Sequence, residues 1–173
     1  MTDTLLPAAL IDLARRVIEE NRAIGRRIAV AESCTGGLVA AALTEIPGSS
    51  DVLEASIVTY SNEAKSALLR VSRDVLETFG AVSVAVAWSM ARGAQAATDA
   101  DVAVAITGVA GPGGGSEKKP VGTVVFAVAE KGADPADIHA DRRQFDPGAG
   151  RGAIRLQAAL CALELLLPAA PAP

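Results

Sequence analysis

From residue 5 to residue 24 apolar side chains return at helical spacing, with Leu10, Leu13 and Val17 on one face and Ala14 between them. That period predicts an amphipathic helix over 5–24, and Gly25 stands where it would stop. A short apolar run predicts a strand over 27–31. The polar run Glu32-Ser33-Cys34-Thr35-Gly36-Gly37 reads as a tight turn, and 38–43 as a second helix halted by Ile46-Pro47-Gly48. Residues 52–60 are rich in β-branched side chains and predict another strand. Ser61, Ser72 and Ser83 each precede a helical stretch in the N-cap position. The first stretch runs through Lys65 towards Leu69, the second ends at Phe79 before Gly80, and the third is Ala-rich and reaches Ala97. The near-continuous apolar run 102–106 predicts a buried strand, followed by a glycine-rich loop over 108–115. Strands are predicted over 122–129 and 138–145, the second at a sheet edge, and a closing helix over 151–167.

Strands alternating with helices predict an α/β fold, a three-layer α/β/α sandwich. No helix separates the last two strands, so they pair antiparallel and the sheet is mixed, mostly parallel. The pattern shows no repeat and no linker. It reads as a single domain over 1–167 with a Pro/Ala tail, 168–173, that is expected to be disordered.

Composition sharpens this. Half of the 173 residues are apolar but only 3% are aromatic, so the core is built from Ala, Val, Leu and Ile. The net charge of −4 excludes a general nucleic-acid binder, which would be basic. Two cysteines and one histidine offer no metal-ligand set. The N-terminus places an acid early and a basic pair late, the reverse of a signal peptide. No apolar run is long enough for a bilayer. A cytoplasmic protein without nucleic-acid or membrane partners is expected.

Ser33 falls where a strand becomes a helix. The first N–H groups of a helix lack internal partners and make an anion site. A serine there can attack a carbonyl while the N–H groups of Thr35 and Gly36 hold the developing oxyanion, one such donor being worth on the order of 3 kcal/mol in kcat. Gly36 and Gly37 let a substrate approach the backbone. Helix capping by Ser33 and Thr35 is the plain alternative. Cys34 is either a competing nucleophile or a small buried side chain.

A serine nucleophile needs a base. His139 sits on the predicted edge strand and reads as solvated. Lysine serves as a base when burial lowers its pKa. The segment from Thr59 to Lys65 starts at a strand end, the side on which α/β sheets bind ligands. Lys65 then lies on the first turn of the next helix, unless it is an ordinary solvated lysine. Ser61, one turn from Lys65, is a rival nucleophile that capping would also explain.

The loop from Thr107 to Ser116 runs into Lys118 and Lys119 and matches neither the phosphate-loop nor the dinucleotide pattern. Its backbone and lysines suit a phosphate, with Gly108, Ala110 and Gly111 as substrate-facing positions; a flexible surface loop is the alternative. Arg151 and Arg155, one turn apart, share a face at the start of the last helix. Cations there oppose the helix dipole, which points to an anionic partner or to plain exposure. Cys161 falls on an apolar stripe with Ile154, Ala158 and Leu165 and reads as core.

Together these segments resemble the C-terminal domain of the competence/damage-inducible protein CinA, a family that includes stand-alone nicotinamide-nucleotide amidohydrolases. The matching stretches are AESCTGGLVAAALTEIPGSS, VTYSNEAKSALL, GAVS, TGVAGPGGGSEKKPVGTV and the closing R-x-x-x-R, which span nearly the whole chain. The resemblance implies an α/β/α domain that converts nicotinamide mononucleotide (NMN) to nicotinate mononucleotide and ammonia. It implies Ser33 as nucleophile, Lys65 as general base, Tyr60 as a hydrogen-bonding assistant to that pair, and Thr107 and Arg151 as substrate contacts. It implies no cofactor, no metal and a homo-oligomer, most simply a dimer. The sequence departs from the family before the last helix, where Gly148-Ala149-Gly150-Arg151 lacks the expected acid. The chain is too short for the additional N-terminal domain that many CinA proteins carry. Two rival readings are a non-catalytic pyridine-nucleotide-binding module and an interaction protein of DNA uptake or repair; the acidic balance counts against direct DNA contact.

Overall fold

The structure, a computed structural model, describes residues 4–169. Pro7 decides where the first helix begins. A residue before proline is steered away from the α region, so Leu5 and Leu6 stay outside and α1 runs Ala8–Ala23, later than the apolar period predicts. Leu5 is left fully exposed. The chain continues through β1 (Ile28–Glu32), α2 (Leu38–Thr44), β2 (Leu53–Val58), α3 (Asn62–Leu69), α4 (Arg73–Phe79) and α5 (Val84–Thr98). It closes with β3 (Val102–Gly108), β4 (Thr123–Glu130), β5 (His139–Gln144) and α6 (Arg151–Leu166). Ser61 and Ser83 cap α3 and α5 as expected, their hydroxyls accepting from the Ala64 and Val86 amides. Ser72 holds the N-cap place of α4 without a side-chain bond. Of the tail expected to be disordered, 168 and 169 follow α6 without regular structure, and the rest lies outside the described residues.

The strands form one sheet in the order β2-β1-β3-β4-β5. β1 pairs in parallel with β2 and with β3, whereas β3–β4 and β4–β5 are antiparallel. Only β4 therefore runs against the others, and the sheet is mixed as expected. From β1 the chain passes over one face to β2 and returns over the other face to β3. The crevice between the ends of β1 and β3 is thus a switch point, where open α/β sheets bind ligands.

The two faces are sized differently. On β1 and β3, Ile28, Val30, Val102, Val104 and Ile106 point to one side and pack with α1, α2 and α6. Ala29, Ala31, Ala103 and Ala105 point to the other and meet Ala87, Met90, Ala91 and Ala94 of α5. Successive strand residues alternate between faces, so this Val/Ala alternation builds a deep side and a shallow side. On the shallow side α3 also comes close to α5. A Cβ on Gly93 of α5 would lie 2.1 Å from the Leu69 carbonyl oxygen of α3, so only glycine allows that approach. Among the described residues no helix is long and apolar enough to cross a membrane.

Candidate active site

Ser33 is the first residue after β1, and its amide donates to the Ile106 carbonyl of β3 at 3.0 Å, which fixes it at the switch point. Lys65 arrives from α3, whose packing against α5 sets its depth. Its side chain is 1% exposed, among the largest fully buried side chains of the described residues. The Nζ lies 3.1 Å from the Ser33 Oγ, 2.8 Å from the Thr59 carbonyl oxygen and 3.5 Å from that of Tyr60. Among the described residues no carboxylate pairs with it. Burial without a counter-ion pushes the Lys65 amine below the ordinary lysine range. A neutral amine carries two N–H groups and one lone pair. In that neutral form the two carbonyls can take the N–H groups and the lone pair can accept from the Ser33 hydroxyl.

The rivals for the nucleophile fare differently. Burial pushes the Cys34 thiol up to about 11, so it stays protonated near neutrality. The Ser61 Oγ accepts from the Ala64 amide at 3.0 Å in an exposed position, and it caps α3. His139 is exposed on β5, lining a separate hollow under that strand.

The start of α2 differs from the expectation. Its amides are already occupied by the protein's own carboxylate. Glu32, fully buried, accepts from the Gly37, Val39 and Ala40 amides and from the Ser56 hydroxyl at 2.9–3.2 Å. The Gly36 amide donates to the Ser33 carbonyl at 3.0 Å. Gly36 is therefore corrected as an oxyanion donor, because its amide is already bonded, and the Gly37 amide is likewise taken, by Glu32. The amides of Cys34 and Thr35 bond no acceptor on another described residue. Thr35 thus stays available, with Cys34 in place of Gly36. Arg155 holds the other side of this turn, donating from Nε to the Cys34 carbonyl at 3.1 Å and from Nη2 to the Thr35 carbonyl at 2.8 Å. That use replaces the anionic partner which its spacing with Arg151 suggested.

A cavity of ≈ 190 Å³ opens beside the Ser33–Lys65 pair. Thr107, Gly108 and Ala110 form one wall, Ala81 and Val82 another. The Thr107 hydroxyl donates to the Ala81 carbonyl at 2.9 Å, so its lone pairs remain free to accept from a ligand. Arg151 stands at the mouth, donating to the Gly111 carbonyl at 2.7 Å and to the Tyr60 hydroxyl at 2.8 Å. Tyr60 therefore meets the lysine through its carbonyl, while its ring, 64% exposed, lies at the mouth. Gly111 contributes a carbonyl to Arg151 and no cavity wall. Of the loop lysines, Lys119 donates to the Phe79 carbonyl and pins the loop to α4. Two larger hollows of ≈ 300 Å³ each lie elsewhere, and neither contains Ser33 or Lys65. Among the described residues no group of three or more His, Cys, Asp or Glu is arranged to hold a metal ion.

Sequence reasoning missed two residues of this site, Glu32 as the filler of the helix start and Arg155 as the brace of the turn. An acid ending an otherwise apolar strand was the available signal for the first.

The chain is similar in sequence and in fold to known proteins. A sequence model described as "CinA C-terminal domain" matches residues 10–170. The chain is 54% identical over 142 residues to a "CinA-like protein" of Mycobacterium avium, covering 82% of this chain and 32% of the relative. It spans about a third of the length of such CinA-like relatives. It is 48% identical over 155 residues to the "Nicotinamide-nucleotide amidohydrolase PncC" of Pseudomonas putida, covering 90% of this chain and 93% of that one. The crystal structure of the "competence/damage inducible protein CihA" from Agrobacterium tumefaciens superposes with a TM-score of 0.89 at 45% identity, covering 94% and 96% of the two chains. On the extent of these matches, the chain belongs to the CinA C-terminal domain family.

Proposed function

We propose that this protein is a nicotinamide-nucleotide amidohydrolase that cleaves the carboxamide of NMN through an acyl-enzyme on Ser33. The observation that carries the reading is the Lys65 Nζ, buried without a counter-ion, 3.1 Å from the Ser33 Oγ. A relative of nearly the same length bears that activity in its name, and the cavity suits it. At ≈ 190 Å³ it is smaller than ligand sites of about 300–1,000 Å³. It suits the pyridine ring and its amide, with ribose and phosphate lying across the mouth near Arg151.

The steps follow from the groups present. Neutral Lys65 takes the Ser33 proton as Oγ attacks the carboxamide carbon. The amide oxygen becomes an oxyanion and is held by the Thr35 amide. Thr107, its proton committed to Ala81, accepts from the substrate NH₂ and so distinguishes the nitrogen of the amide from its oxygen. Protonated Lys65 returns the proton to the nitrogen, the C–N bond breaks, and ammonia leaves. Lys65 then deprotonates a water that attacks the ester, releasing nicotinate mononucleotide and restoring the Ser33 hydroxyl.

The test is ammonia release from NMN, from nicotinamide riboside and from nicotinamide. NMN is expected to be the best substrate. Ser33→Ala is expected to remove about 10⁴-fold or more of the rate while the variant keeps its circular dichroism, and Cys34→Ala is expected to stay active. Tight NMN binding without ammonia would leave a nucleotide-binding module in place of an enzyme.

A further inference from the structure

The geometry points to Arg155 as a positioning residue that aims the Thr35 amide at the oxyanion by holding the two carbonyls on either side of that residue. In a trans peptide unit the N–H leaves on the side opposite the C=O. The Cys34 carbonyl, bonded by Arg155 Nε, shares its peptide unit with the Thr35 N–H. The Thr35 carbonyl, bonded by Nη2, shares its unit with the Gly36 N–H, which is itself tied back to Ser33. Both peptide planes that flank Thr35 are therefore clamped, and the Thr35 N–H is left facing away from the guanidinium.

Three observations set this apart from ordinary packing. Among the described residues Arg155 has no carboxylate partner, and its fork is spent on consecutive carbonyls. A rigid guanidinium can hold two such acceptors in fixed relative orientation, whereas a lysine ammonium cannot. Hydrogen bonds from a charged donor are also about twice as strong as neutral ones. The amides beyond the turn, at Gly37, Val39 and Ala40, are held by Glu32. Between these clamps only Cys34 and Thr35 keep amides without an acceptor on another described residue. Arg155 itself grips the turn from α6, so it acts on the reaction only through the backbone it orients.

The experiment compares the wild type with Arg155→Ala and Arg155→Lys. It measures kcat and KM for ammonia release from NMN, and the rate at which p-nitrophenyl acetate acylates Ser33, read by mass spectrometry against a Ser33→Ala control. Arg155→Ala is expected to lower kcat about a hundredfold, the loss for one misaimed oxyanion donor, with KM within about threefold. Acylation should fall by a similar factor, because it needs the same oxyanion donor and no nucleotide. Arg155→Lys should recover less than a tenth of the loss, although it folds and keeps the charge. Added guanidinium should restore Arg155→Ala in part and leave Ser33→Ala inactive. Unchanged kcat, a loss confined to KM, or full recovery by lysine overturns the assignment. The ammonia measurement rests on the proposed amidohydrolase activity, but the acylation measurement does not. A wild type that acylates at Ser33 without deamidating NMN therefore refutes the substrate alone, and one that does neither refutes both.

Discussion

The turn after β1 and the loop after β3 leave neighbouring parallel strands at the same end of the sheet, and both are rich in glycine. In the first, Ser33, Cys34 and Thr35 are buried, and nearly every peptide group is bonded by Glu32, Arg155 or the turn itself. In the second, residues 112–118 are exposed and their main chain bonds mostly within the loop, as between Ser116 and Lys119. Arg151 and Arg142 tether it from outside, and its own Lys119 reaches out to the Phe79 carbonyl at the end of α4. Glycine content therefore does not mark the chemical site. What marks the candidate site is a backbone so fully bonded that only the Cys34 and Thr35 amides lack an acceptor on another described residue.

The largest effect that could break this contrast lies at Lys65, which serves the bonded turn. Lys65→Ala is expected to lower kcat about 10²–10⁴-fold, the usual worth of a general base. In the wild type kcat/KM should climb with pH on a limb centred below the ordinary lysine value of about 10.4, because only the neutral amine accepts the proton and burial favours that form. The same shift has a consequence for stability. Between the lowered native pKa and the ordinary unfolded one the unfolded chain binds more protons, so stability rises with pH across that window and is lost as pH falls through the native value. Urea midpoints across that range should show a positive slope that Lys65→Met removes. An activity limb at the ordinary lysine value would mean that the amine is not desolvated.

A middle-sized effect belongs to Glu32. Both of its oxygens accept from amides. Glu32→Gln turns one oxygen into a donor facing donors, which should cost about 1–3 kcal/mol for the unmet groups, read from urea unfolding. An unchanged midpoint would mean that the carboxylate is not what holds the start of α2. The smallest effect is expected in the other loop. A Cβ on Gly113 meets nothing within 4 Å, so Gly113→Ala should stay within about 0.5 kcal/mol and keep ammonia release within twofold. A large loss there would mean that the exposed loop closes on the substrate.

Much of the molecule was legible in the sequence because its signals are local. The Val/Ala strands, the caps at Ser61 and Ser83 and the glycine breaks are set within a few residues. Ser33 directly follows β1 and Lys65 lies on the first turn of the helix after β2, and the sheet order brings the two together. The rest depends on where long side chains reach. The amides of Gly36 and Gly37 look free until the Glu32 side chain turns into the helix start. Arg151 and Arg155 share a helix face, yet one spans the cavity mouth and the other grips a turn far along the chain, which spacing alone does not separate. Tyr60, expected beside the Ser33–Lys65 pair, meets the lysine with a carbonyl that every residue possesses while its hydroxyl turns to Arg151, a division that its identity does not reveal.

The bare α-carbon of Gly93 bears on the site from a distance. A methyl group there would have to push aside the backbone ending α3, one turn beyond Lys65. The approach of α3 to α5, and with it the depth of the Lys65 amine, thus leans on a residue that touches neither Lys65 nor Ser33, and a survey of variants confined to the cavity walls would overlook it.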